Sequence, residues 1–393
     1  MNIYLDNAAT TRVLPEVRDA MLPFLNDDFG NPSSKHYDLG RRARRAVMAA
    51  RQQIAALLKA EVPADEDRIR IVYFTACATE SNNWVLQNAP LANKGKKHLI
   101  VSAVEHPAVL NTAAFMEKHY GYRVTVVPVD ATGLVDPAEV EKAMAPDTAL
   151  VSVMVANNEV GTLEPVAEIA KIAHQGGALM HTDAVQAAGK IPLDVNALGV
   201  DFLSISGHKF HGPKGVGALY VAPGVNLPPL IHGGGQENNH RAGTYNVAGI
   251  VGMGKAAEIA MAEMAESGPR QFALVERLWQ GLSAASPKIY RNGNPDKRIP
   301  NVLNVRYDGA EGEAVLLRLD MFGIQVSSGS ACATGDITAS HVLLALGIPQ
   351  ENAHGSIRFS LGRDTTAEDI EKVIAIVPKQ VQAIRDMSVT WKG

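Results

Sequence analysis

The chain is poor in cysteine: only Cys77 and Cys332 occur in 393 residues, and they form no C-x-x-C pair. That excludes a disulfide framework and a structural zinc site, and fits a reducing cytoplasm. An excess of either charge is missing too, with 37 Lys and Arg against 41 Asp and Glu. A nucleic-acid partner or an anionic membrane surface is therefore not expected. The basic run Arg41, Arg42, Arg44 and Arg45 sits on a regular helical pattern and reads as a solvated face. Long uncharged apolar runs are absent, and Met1-Asn-Ile-Tyr-Leu-Asp6 has neither the basic region nor the apolar core of a signal peptide. No internal repeat, low-complexity tract or long linker interrupts the chain. The expectation is a soluble cytoplasmic protein, large enough for two lobes.

What is present is an alternation of strands and helices. Pro15 opens a helix with Val17, Met21 and Leu25 on one stripe; a second, over 39–58, carries Ala43, Val47, Ala50, Ile54 and Leu57 on one side. Strands are predicted at 69–74, 99–104, 124–129, 149–155, 178–182, 201–205 and 217–221, with helices at 80–87, 108–119 and 166–174. This βαβ order predicts a parallel sheet covered by helices. Beyond Gly233-Gly-Gly235 a helix is expected over about 246–266, ending at Gly268-Pro269. Shorter strands at 302–305 and 356–360 then mix with helices at 311–322 and 340–346, which predicts a smaller α+β domain. The last helix begins at a capping box, Thr366 with Asp369, and Pro378 inside it predicts a kink or break. The division expected is a large domain over 15–255 and a small one made of 1–14 and 256–393, carrying Cys332.

Ligands of such sheets bind outside the carboxyl ends of the strands. Polar residues collect there: Ala78-Thr79-Glu80, Glu105-His106, Asn157-Asn158-Glu159, then Asp183 and Gln186, then Ser206, His208 and Lys209. Lys209 stands at a strand end between a histidine and a Gly/Pro-rich loop, where neighbours can desolvate it and lower its pKa for covalent chemistry. A lysine, an aspartate on a neighbouring strand end, a histidine and a helix start suited to phosphate are the parts that pyridoxal phosphate requires. Lys209 would bond its aldehyde, Asp183 keep its ring nitrogen protonated, and Thr79 take the phosphate through hydroxyl and backbone N–H. His106 could lie over the ring as acid or base. His208 and His211 have no third ligand near in sequence, so no metal is expected. Cys332 lies in Ser327-Ser-Gly-Ser-Ala-Cys-Ala-Thr-Gly335, a loop that offers almost no packing. It reads as a reactive thiol, activated by tertiary neighbours such as His106 or the cofactor, whereas Cys77 reads as a packing residue.

With these pieces in order, the chain resembles the cysteine desulfurases of the nitrogen-fixation and iron-sulfur type over essentially its whole length. The motifs are Tyr4-Leu-Asp-Asn-Ala-Ala-Thr-Thr11, Gly30-Asn-Pro-Ser-Ser34, Ala78-Thr-Glu-Ser-Asn-Asn83, Glu105-His-Pro-Ala108, Asn157-Asn-Glu159, His181-Thr-Asp-Ala-Val-Gln186, Ser206-Gly-His-Lys209 and Ser356-Ile-Arg-Phe-Ser-Leu361. The resemblance implies the α/β, aspartate-aminotransferase-like architecture of fold type I pyridoxal phosphate enzymes, working as a homodimer. On matching positions it implies that Lys209 bears the cofactor, Asp183 pairs with the ring nitrogen and His106 stacks on the ring. Ala78, Thr79, Ser206 and His208 would hold the phosphate, with Thr244 reaching across from the other subunit. Gln186 would contact the ring oxygen, Asn157 would meet cofactor and substrate, and Arg358 would bind the substrate carboxylate with both arms of its fork. Cys332 would accept sulfur from L-cysteine, leaving L-alanine, and pass it to an iron-sulfur scaffold or another acceptor protein.

Rivals remain: a transaminase, β-lyase or selenocysteine lyase on the same fold, and a non-catalytic persulfide relay, against which the intact set of Lys209, Asp183, Asn157 and Arg358 argues. The chain departs from the family pattern at Ala76-Cys77, where Ser-Gly is frequent, and at Glu237-Asn-Asn-His-Arg241, which lacks an Arg-Gly pair. It departs again at Asp336-Ile-Thr-Ala339, in place of Ser-Leu-Glu-Pro. Glu105-His-Pro-Ala-Val-Leu110 and the short end after Met387 lean toward the nitrogen-fixation type.

Overall fold

The computed structural model describes residues 2–61, 71–93, 95–328, 339–387 and 391. Strand β1 (Ile3–Tyr4) is followed by β2 (Val72–Thr75), β3 (His98–Ser102), β4 (Arg123–Val127), β5 (Thr148–Ser152), β6 (Leu179–Asp183), β7 (Phe202–Ser206) and β8 (Gly217–Val221). The last seven form one sheet in the order β2-β8-β7-β6-β5-β3-β4. β4, β3, β5, β6 and β7 are parallel, and β8 runs against both β7 and β2.

Helices cover both faces, so every residue of β3, β5 and β7 is buried, the apolar ones and the histidine, threonine and serines at and between them alike. The period of two sorts their side chains. Leu99, Val101 and Leu150 pack with Trp84, Val109 and Met116 from the helices Ala78–Ala92 and Pro107–Tyr120. Ile100 and Val151 face the opposite core, with Val47 and Ile54 of helix Asp38–Leu57 and Ile169 of Val166–Gln175. β4 is an edge strand and exposes Arg123 and Val126.

Strands β9 (Ile289–Asn292), β10 (Val302–Tyr307), β11 (Ile324–Gln325) and β12 (Ser356–Ser360) follow. β12-β10-β9 form an antiparallel sheet and β1 pairs in parallel with β11. A separate core lies here, built from Leu303, Val305, Ile357 and Phe359 against Val373 and Val377. The helices Pro137–Ala143 and the short strands β1, β9 and β11 escape the sequence pattern.

Two expected helix ends are absent. One helix runs Val247–Ala285 straight through Gly268-Pro269, and the last, Ala367–Met387, runs through Pro378. A proline inside a helix costs about 3 kcal/mol by removing a backbone bond and crowding the preceding turn. Packing on both sides outweighs it. Ile250 and Met253 are locked in the large core, and Val275, Leu278 and Leu282 of the same helix in the small one. In the last helix Val373 and Val377 precede the proline and Val381 follows it, all in one core. Its predicted capping box is present: Asp369 N–H donates to Thr366 Oγ1 at 3.1 Å and Thr366 N–H to Asp369 Oδ2 at 3.0 Å. Among the described residues no helix is long and apolar enough to cross a membrane.

One ion pair is fully buried. Arg51 donates to both oxygens of Glu237 at 2.6 and 2.7 Å, to Val72 O, and lies 4.8 Å above the Phe74 ring. It fastens helix Asp38–Leu57 to a turn in which Glu237, Asn238 and Asn239 all have positive φ, 48°, 55° and 66°. Asparagine tolerates that left-handed backbone better than most residues, which accounts for Asn238-Asn239 where the family pattern has a glycine. Glu237→Ala strands a guanidinium without its anion, and the expected loss is about 3 kcal/mol of unfolding free energy. Urea denaturation of parent and variant measures it, and equal midpoints would show the pair to be energetically idle.

Candidate active site

Parallel pairing sets the ends of β6 and β7 side by side, so Asp183 and Ser206 emerge on the same carboxyl edge. The turn Gly207–Lys209 follows β7 at once. β2 points the same way as β7, because two antiparallel pairings intervene, and it delivers the start of helix Ala78–Ala92 to that edge. A cavity of ≈ 310 Å³ opens there. Ala78, Thr79, His106, Asp183, Gln186, Ser206, His208, Lys209 and Arg358 all line it.

The N-terminal segment crosses this edge. Asn7 Nδ2 donates to Ser360 O at 3.0 Å and Thr11 N–H to His208 O at 2.9 Å, so residues 7–11 bridge the two sheets. Lys209 Nζ donates to the carbonyls of Ala8 and Ala9, both at 2.7 Å. Asp183 is buried and both its oxygens are held, Oδ1 by Val185 N–H at 2.9 Å and Oδ2 by Asn82 Nδ2 at 2.7 Å.

Burial keeps the histidines neutral. It lowers the pKa of His106, against the pull of Asp183; His106 Nδ1 accepts Ala108 N–H at 3.0 Å, so the ring proton sits on Nε2. Burial and then the nearby Lys209, Lys214 and Lys190 bring His208 down to about 4. Its Nδ1 lies 3.1 Å from Thr10 Oγ1. Glu105, one residue before His106, is also buried and is pushed up to about 8, although Ser102 Oγ at 2.6 Å and Met154 N–H at 2.8 Å both donate to it.

Three polar groups of the cavity are buried without a partner among the described residues: Asn82 Oδ1, Ser206 Oγ and Arg358 Nε. Arg358 spends its remaining nitrogens on Asp6 Oδ1 and Asn158 O, each at 2.8 Å. The helix start at Ala78 has no side-chain cap. Buried polar groups are nearly always satisfied, and an uncapped helix start favours an anion. A phosphate answers Ser206 and the helix start together, and Asp183 stands ready for a ring N–H. These residues fit pyridoxal phosphate.

Two expected site residues do not line the cavity, and a third lies outside the described residues. Asn157 is buried behind the cavity, with Nδ2 donating to Val104 O at 2.9 Å and Oδ1 accepting from Glu159 and Val160 N–H at 2.8 and 2.9 Å; its neighbour Asn158 lines the wall. Thr244 is exposed and outside the cavity. Cys332 lies outside the described residues, as do Asp336 and its two successors, but both flanks of that segment meet the site. Ser327 exchanges backbone bonds with Arg358 at 3.2 and 2.6 Å, and His341 Nε2 lies 2.9 Å from Glu105 O. Cys77, expected to be packing, is half-buried at the cavity wall. Sequence reasoning missed Asn82 and Lys190. Asn82 falls three residues after Thr79 on the same helix face, a spacing that could have revealed it.

The class-V aminotransferase family model matches residues 3–373. The cysteine desulfurase IscS of Methanosarcina thermophila is 49% identical over 387 residues, covering 98% of this chain and 93% of that one. The chain belongs to the cysteine desulfurases. A solved NifS-like protein superposes with a TM-score of 0.89 at 38% identity, covering 98% of this chain and all of that one. SspA in complex with cysteine gives 0.78 at 36% identity, over 92% of this chain and 99% of its own. The protein is thus a pyridoxal-phosphate-dependent enzyme of fold type I.

Glu105 gives a pH-dependent test. Below about pH 4.5 the acid is protonated folded or unfolded; above it the unfolded chain releases the proton, while the buried group holds it until about pH 8. Stability contributed by this group is present at low pH and drains away as pH rises through that window. Relative to the parent, Glu105→Gln should unfold at the same temperature near pH 4.5 and at a progressively higher one toward pH 8. A constant difference across calorimetric scans would refute the assignment.

Proposed function

We propose that the protein is a cysteine desulfurase that converts L-cysteine to L-alanine and takes the sulfur onto Cys332, for supply to iron-sulfur cluster assembly. One observation carries this reading: two buried, unpartnered groups, Ser206 Oγ and Arg358 Nε, share a cavity with Lys209 and Asp183. The first calls for a phosphate and the second for a carboxylate, the two anions of a cofactor and an amino acid.

The cofactor, when bound, supplies an electron sink for bonds at the substrate α-carbon. Asp183 holds the ring nitrogen, with its carboxylate oriented by Asn82. Ala78, Thr79, Ser206 and His208 would hold the phosphate, and His106, a neutral imidazole with its proton on Nε2, would be the proton donor beside the ring. Arg358 would orient the substrate carboxylate through Nε, its terminal nitrogens being held by Asp6 and Asn158. Lys209 would hold the cofactor at rest, and its amine, when free, would be the base that moves the proton at the substrate Cα. The Cys332 thiolate attacks the substrate sulfur. An S–S bond forms, the Cβ–S bond breaks, and its electron pair goes to Cβ, where protonation completes alanine.

The finer reading has its own support. Thr244, exposed and remote from its own cavity, suits a phosphate contact across a homodimer. The core of Leu303, Val305, Ile357 and Phe359, separate from those on the two faces of the large sheet, favours a large cofactor-binding domain over 15–255 and a small one from the remainder. A chain that relies on a reactive cysteine fits the cytoplasm, and the 105–110 motif favours acceptors of the nitrogen-fixation type.

The test is alanine released from L-cysteine by purified protein with a thiol reductant, beside Cys332→Ala. The parent should produce alanine and the variant should not. A variant with full output would point to β-elimination or transamination instead. Arg358→Lys, which replaces a planar guanidinium fixed by Asp6 and Asn158 with a flexible point charge, should raise KM for cysteine by on the order of tenfold, about 1.4 kcal/mol.

A further inference from the structure

Lys190 has no part in the reaction as described, yet it touches its machinery. Its Nζ donates to Gln186 Oε1 at 2.8 Å, one helical turn back along the chain. Gln186 Nε2 in turn donates to Ala8 O at 2.9 Å, the carbonyl that also accepts from Lys209. Chemistry alone fixes the direction of this relay. An ammonium can only donate and a backbone carbonyl can only accept, so the amide must set its oxygen toward Lys190 and its NH₂ toward Ala8. Gln186 lines the cofactor cavity, and its second N–H is then left for an acceptor there.

Lys190 is half-buried between two cavities, where partial loss of water is costly to an ammonium, and among the described residues no carboxylate is paired with it. Burial first, then the charges of Lys209 and Arg358, press its pKa down to about 7. The carboxylate that shares its outer cavity, Glu263, is already engaged by Arg363 at 2.6 Å, and His211 there is bonded to Arg12 O at 3.0 Å. A cation kept in such a place against its electrostatics points to a task.

We propose that Lys190 is a positioning residue: it pins the Gln186 carboxamide so that only N–H donors face the cofactor's ring oxygen, and so favours the deprotonated state of the bound chromophore. The inference rests on the reading of Gln186 as the donor to that oxygen. Without Lys190 the amide loses its anchor and the site loses a positive charge, and both changes make the bound chromophore harder to deprotonate.

The experiment is a spectrophotometric pH titration of the cofactor-loaded protein, with the dissociation constant for pyridoxal phosphate measured on cofactor-free protein. Lys190→Met, close in shape, should raise the titration midpoint by about one pH unit, a tenfold change in proton affinity, and weaken cofactor binding several-fold. In a Gln186→Leu background the same substitution should move the midpoint by less than half as much, because the relay is already broken. An unchanged midpoint in Lys190→Met overturns the proposal. So does an equal shift in both backgrounds, which would make Lys190 a distant charge and not a positioning group. The parent's own cofactor band and its alanine production test the functional reading separately, before any variant is made.

Discussion

An ammonium brought to the end of a buried strand must find oxygen acceptors, and much of this structure follows from where Lys209 finds them. The carbonyls of Ala8 and Ala9 belong to an extended segment that has already joined the other sheet, through Asn7 and Ser360. Serving the lysine therefore draws that segment across the carboxyl edge of the large sheet. Gln186 takes the same Ala8 carbonyl, and Asp6, two residues earlier, holds Arg358. One stretch of seven residues or so thus sets the positions of the lysine, the amide and the arginine together.

The remaining polarity of the site is muted by burial. His106 and His208 are neutral at pH 7, and Glu105 keeps its proton until about pH 8. Fewer competing charges leave the fields of Lys209, Asp183 and Arg358 less screened. In a poorly solvated cavity such fields act more strongly than they would in water.

The sheet was legible in the sequence because a parallel strand covered on both faces is short, free of Asp, Glu, Lys and Arg and mostly apolar, as β5 and β7 are. The candidate site was legible because polar residues follow those runs at the carboxyl ends. Helix ends were not. Gly268-Pro269 and Pro378 are local stop signals, and packing between elements far apart in sequence, Ile250 with the large core and Val275 with the small one, overrides them. Lys190 was invisible for a related reason. Its meaning lies in a contact with Gln186 and in a shared cavity whose carboxylate, Glu263, is taken by Arg363, and neither is written in a local pattern. Asn157 and Asn158 show the limit of a motif: adjacent residues of one type, of which the fold turns one inward to brace a turn and the other toward the cavity.

The backbone exchange between Ser327 and Arg358 fixes a point on the rim from which the chain departs toward Cys332. Ser328 is the last described residue before it, and four further residues extend at most about 14 Å. Covalent reach alone therefore keeps Cys332 within that distance of Ser328. Any protein that collects sulfur from it must bring its own acceptor to the Arg358 side of the molecule, so geography, as much as affinity, decides which proteins are served.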